Sequence, residues 1–115
     1  MVDDILVLIT APNADKARSI AEALVSEQLA ACVNIIPAIE SVYRWEGKVS
    51  RDSEALLIVK TTNDCYEALE RRVKQLHSYT TPEVIAVKIE RGSAEYLKWL
   101  RDSVLEVPDS SEDHC

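Results

Sequence analysis

An α+β sandwich is the fold this sequence predicts, and three observations lead to it. Four short apolar runs of strand length occur, at 5–9, 31–36, 55–59 and 83–90. Two amphipathic helical stretches separate the first run from the second and the third from the fourth. A single tight turn signal, Glu46-Gly47-Lys48, joins the middle two. Strand, helix, strand, strand, helix, strand is the ferredoxin-like βαββαβ order. An extra C-terminal helix and a long hairpin between the second and third strands complete the expected fold.

Each element has its own signal. Ile5 to Ile9 is continuously apolar, and Ala11-Pro12-Asn13 breaks it, with Asn13 suited to cap a helix. Ala17, Ile20, Ala21, Leu24 and Val25 then recur at helical spacing, with Lys16, Arg18, Glu22 and Glu27 on the other side. The second strand starts at Ala31 and meets Pro37, which cannot donate to a ladder, so a bulge or bend is expected there. It resumes through Ile39, Val42, Tyr43 and Trp45, and the return strand runs from Val49 to Thr61. Asp64 and Glu67 resemble a capping box ahead of a helix marked by Tyr66, Leu69, Val73 and Leu76. Ile85, Val87 and Ile89 alternate as a strand, and Gly92-Ser93 opens the last helix. One domain over 1–108 is expected, with an acidic flexible tail over 109–115.

Charge and composition narrow the function. The net charge is −7 and no basic stripe is present, which argues against a nucleic-acid partner. No apolar run reaches the length of a membrane span. The start, Met1-Val2-Asp3-Asp4, is acidic where a secretory signal is basic, so the cytoplasm is the expected compartment. Cys32, Cys65 and Cys115 lack the paired spacing of a zinc site, and Cys32 reads as a small buried hydrophobe.

One copy does not look sufficient. Both crossover helices of this fold lie on one face of the sheet, yet 5–9 and 55–59 are apolar on both sides of the strand. The uncovered face would exceed the apolar patch that monomers tolerate. A strand from Ala31 to Trp45 would extend roughly 50 Å at about 3.3 Å per residue and overhang the domain. An oligomer follows as the expectation.

Several blocks resemble the CutA family, named for divalent-cation tolerance. They are Leu29-Ala30-Ala31-Cys32-Val33-Asn34-Ile35-Ile36-Pro37, Tyr43-Arg44-Trp45-Glu46-Gly47-Lys48, Asp52-Ser53-Glu54, Lys60-Thr61, the run from His77 to Ile85 and Tyr96-Leu97-Lys98-Trp99. They stand in the family's order over about residues 5 to 104. The resemblance implies a homotrimer and a role in tolerance to divalent cations such as copper. It also implies a structural similarity to PII signalling proteins. That leaves a second reading, a trimeric small-ligand or partner-binding module with an indirect metal link.

The resemblance implies candidate residues as well. A copper site proposed for some members uses a first-strand cysteine and two adjacent histidines; here those positions are Ile9, Leu76 and His77. His77 is thus the remaining metal candidate, and a helix-end cap is its other reading. Lys60, Tyr79 and Glu83, with Trp45 as an aromatic wall, match positions near a cleft between subunits. For Trp45 and Tyr79, interface packing and ligand contact both stand. Asp113-His114-Cys115 carries metal-binding groups on the tail. His77 and His114 are the only histidines, and Gly47 and Gly92 stand apart, so neither a nucleophile–base set nor a phosphate loop is present. Action by binding is expected, not catalysis.

Overall fold

The computed structural model describes residues 3–105, so the expected tail at 109–115 lies outside the described residues. β1 (Asp4–Ala11) is a central strand, antiparallel to β3 (Lys48–Thr62) on one side and β4 (Val84–Lys88) on the other. β2 (Cys32–Trp45) adds to β3, giving the order β2-β3-β1-β4. Three helices complete the order: α1 (Ala14–Ser26), α2 (Tyr66–Leu76) and α3 (Ala94–Asp102).

Local chemistry explains most boundaries. Asn13 caps α1 by accepting from the Lys16 N–H at 2.8 Å, and Ser93 caps α3 from the Tyr96 N–H at 3.3 Å. The bulge falls where Pro37 requires it: the register jumps between Ile36 and Ile39, so Pro37 and Ala38 face Ala55 alone. At the hairpin tip Trp45 pairs with Lys48, and Glu46 (φ 51°) and Gly47 (φ 78°) form the two-residue turn. Positive φ at both positions is the turn that follows the twist of paired strands.

The Asp64 expectation is corrected. The chain enters α2 through a 3-10 turn at Asn63–Cys65, and no side chain caps the helix. Cys65, the cap residue, is already helical at φ −87° and ψ −7°. Asp64 therefore sits inside the turn, not at an extended cap position.

Alternation along the strands divides the sheet into two faces. Ile5, Val7, Ile9, Ala55, Leu57 and Val59 are buried with Ile20, Leu24, Leu69 and Val73 of α1 and α2. Each fully buried Leu or Ile in this layer contributes about 1.5–3 kcal/mol. The opposite face carries Leu6, Leu8, Ile36, Leu56, Ile58, Ile85 and Val87, by the register of the strands. α3 packs on β1 and β3, and Arg101 reaches Asp4, whose side chain alternates with core-facing Ile5. α3 leaves Ile36, Ile85 and Val87 exposed. Ile85 and Val87 of β4 thus face away from α1 and α2, beside Leu8 and Leu6, while Val84 packs on the core.

β1 pairs with β3 only from Ala55 to Thr62. The rest of the hairpin, with Val42, Tyr43, Trp45 and Val49 exposed, projects past the end of β1.

Candidate functional site

The end of β1 gathers a polar cluster at the root of the projecting hairpin. His77 follows α2 directly, and its N–H caps the helix on the Val73 carbonyl. Its buried ring turns toward β1, with Nε2 2.7 Å from the Thr10 carbonyl oxygen. A carbonyl only accepts, so Nε2 carries the proton and donates. Nδ1 accepts the Tyr79 N–H at 3.1 Å. Both ring nitrogens are engaged within the chain, in the neutral tautomer. The helix-end reading of His77 holds for its backbone, while its ring ties the 77–79 loop to β1.

Tyr79 leaves this loop and stacks obliquely on His77, with ring centroids 4.6 Å apart. Its hydroxyl donates to Glu54 Oε2 at 2.8 Å. One rung further along β3, Tyr43 of β2 donates its hydroxyl to Asp52. Asp52 and Glu54, two residues apart on one strand, each hold a phenol from a different segment. Partial burial, then the Glu54 hydrogen bond, pushes the Tyr79 phenol up to about 12. The bond to Asp52, first, and burial raise the Tyr43 phenol as well.

This coupling has a measurable consequence. Tyrosinate absorbance should show one phenol titrating near 12 in place of the ordinary 10. Glu54→Gln should bring that transition down, and an unchanged curve would refute the pairing. Because the folded value is the raised one, the stabilisation from this group is whole below about pH 10 and is lost as pH rises through about 12.

The other candidates lie elsewhere. Lys60 is near the far end of β3, where its Nζ donates to Asn34 Oδ1 and lies 4.0 Å from Cys32 Sγ. Cys32 is therefore not the buried hydrophobe expected; it is half-buried on the sheet face opposite α1 and α2. Trp45 is at the hairpin tip, 63% exposed. Along β3 its ladder partner Lys48 and Lys60 are roughly 40 Å apart at about 3.3 Å per residue. Glu83, exposed, precedes Val84, which pairs with Ile9, so it stands at the same end of β1 as Tyr79. One chain thus brings Tyr79, His77 and Glu83 to one end of the sheet and keeps Lys60 and Trp45 apart from them.

Reading the residues alone overlooked Thr10 and the two phenol–carboxylate pairs. Asp52 and Glu54 stand two apart, which does place them on one face; their partners come from another strand and a loop. Ile9 is fully buried and Leu76 packs on the core, so neither position offers a ligand. Among the described residues no group of three or more His, Cys, Asp or Glu converges as a metal site, and no helix is long and apolar enough to cross a membrane. Asp113, His114 and Cys115 lie outside the described residues.

Comparison with known proteins agrees with this architecture. A divalent-cation tolerance protein CutA from Thermus thermophilus is 55% identical over 98 residues, 85% of this chain and 95% of its own length. The chloroplastic CutA 1 of Oryza sativa is 50% identical over 105 residues, 91% of this chain but 59% of that protein. The crystal structure of CutA1 from Oryza sativa superposes with a TM-score of 0.89 at 50% identity, covering 90% of this chain and 95% of that one. The model of the CutA1 divalent ion tolerance proteins matches residues 5–103, nearly the whole described sheet and its helices, and the chain belongs to that family.

Proposed function

We propose that this protein acts in tolerance to divalent cations, copper among them, as a cytoplasmic homotrimer that works by binding and not by catalysis. The observation that supports the assembly is exposed apolar surface. Ile36, Ile85 and Val87 on the open sheet face, and Val42, Trp45 and Val49 on the projecting hairpin, are all exposed in one copy. Soluble monomers seldom carry so extended a patch, and a second copy of the same chain supplies a matching surface. A neighbour's hairpin would also bring Trp45 toward Lys60, which one chain keeps apart.

Direct metal binding through His77 is weak in this reading. Copper would have to displace either the Thr10 carbonyl or the Tyr79 N–H from the ring. A lone imidazole then supplies one bond where selective copper sites use several. Calorimetry with copper on the full chain and on His77→Ala should give weak binding in both. Submicromolar affinity that disappears in His77→Ala would overturn this, and a stable monomer by light scattering at micromolar concentration would overturn the assembly. Thermal stabilisation by nucleotides or small organic anions, with none from cations, would move the function to the PII-like regulatory reading.

A further inference from the structure

Lys60 is a cation without an anion. It is half-buried, and its Nζ reaches only neutral partners, Asn34 Oδ1 and, at 4.0 Å, Cys32 Sγ. No carboxylate pairs with it among the described residues. By strand register it stands in one row with Leu6 and Val87 on the open sheet face. Covering that face takes the ammonium out of water, and a buried charge is tolerated only when it is paired.

Glu46 is the complementary case. It is exposed at the hairpin tip and makes no ion pair among the described residues. Its φ of 51° belongs to a turn position that asparagine, aspartate or glycine fills with less strain. Nothing in its own chain repays that strain, and such outliers mark places where a side chain is used. The neighbouring carboxylates are placed otherwise. Asp52 and Glu54 each hold a phenol, and Glu40 pairs across to Ser53, on the helix side of the sheet. Glu83 is unpaired too, but it stands at the end of its own β1 and not on the projecting arm.

Reach agrees with this pairing between copies and forbids it within one. Along β3 the overhang from Ala55 to Lys48 is roughly 23 Å at about 3.3 Å per residue, and Ala55 to Lys60 is roughly 17 Å in the other direction. The tip therefore cannot return to its own Lys60. Laid from its root along a neighbour's open face, the same arm is long enough to reach that neighbour's Lys60. Trp45 pairs with Lys48, so its side chain shares the sheet face of Lys60 and would lie on the apolar row beside it.

We propose that Glu46 at the hairpin tip of one copy pairs with Lys60 on the open sheet face of the next, so that each Lys60 site is completed by another subunit. The proposal rests on the trimeric reading above and adds the contact that sets the register of one copy on its neighbour. A small anion then gains Lys60 only by displacing Glu46.

Carbodiimide coupling, which joins a carboxylate to an amine in direct contact, tests the pair in trimers assembled from ordinary and isotope-labelled chains. The peptide holding Glu46 should be linked to the peptide holding Lys60 of the other isotope. Glu46→Lys and Lys60→Glu should each weaken association by about tenfold or more in sedimentation equilibrium, and the two together should restore it. Glu46→Asn should leave the fold as stable or more so, yet weaken association, which relief of turn strain alone would not do. A trimer in which Lys60 couples to Glu83 or to nothing, or in which the double reversal restores no affinity, would overturn the pair and leave the assembly standing. A monomeric parent protein would overturn the assembly and the pair together.

Discussion

Arg101→Ala should lower the unfolding free energy by about 3 kcal/mol, a large share of the roughly 5–15 kcal/mol that a domain possesses. The Asp4 carboxylate is almost wholly buried, its side chain 8% accessible, and Oδ2 is 2.8 Å from Arg101 Nη1. The other oxygen, Oδ1, already has no hydrogen-bond partner among the described residues. Removing the guanidinium leaves a buried charge with neither oxygen paired, and desolvation is then uncompensated. Arg101 is 42% accessible, which places the effect at the lower end for a buried pair. Replacing both residues, as Asp4→Leu with Arg101→Met, should recover most of the loss, because the penalty belongs to the orphaned charge. Urea unfolding of the three proteins measures it. A loss below about 1 kcal/mol in Arg101→Ala would mean that water reaches Asp4 in solution.

Trp45→Ala should have the opposite signature. The indole is 63% exposed and buries little against its own chain. The substitution should therefore change subunit stability by no more than about 0.5 kcal/mol, as at other exposed positions. On the trimeric reading it should weaken association by about 2 kcal/mol per interface, the scale of a buried tryptophan anchor. Sedimentation equilibrium reads association, and quenching of tryptophan fluorescence reads shielding. Intact assembly with a destabilised subunit would invert the pattern and remove the hairpin tip from the interface.

The fold was legible because its signals are local and periodic. The Asn13 cap, the Pro37 bulge and the Gly47 turn are each set by the local chemistry of one residue, and each falls where expected. Asp64 shows the limit of local reading. Its spacing to Glu67 fits a cap, but the chain arrives from β3 already wound in a 3-10 turn, and tertiary entry geometry decides. The candidate site was legible only in part. His77, Tyr79 and Glu83 are close in sequence and share one end of the sheet, whereas Lys60 and Trp45 sit on one hairpin but at its opposite ends. Cys32 was misread because strand parity, not local hydropathy, puts it beside Lys60. The contacts that define the cluster join Thr10 to His77 and Glu54 to Tyr79, and such long-range pairings become visible only once strand register is known.

The central position of β1 also governs the order in which the molecule can be made. Its eight residues leave the ribosome before the other three strands of the described sheet, yet both of its neighbours come much later in the chain. Its rung at Ala11 closes on Ala55, and its rung at Leu6 closes on Lys60 of β3 and on Val87 of β4. At about 5–20 residues per second, synthesis of the intervening chain takes several seconds. Through that interval Ile5, Val7 and Ile9 have α1 to rest against but no strand on either side, while the β2–β3 hairpin can close as soon as it emerges. The nascent chain therefore passes through a stage in which its most apolar strand has two open edges, the stage at which chaperones have most to hold and neighbouring nascent copies have most to mispair with.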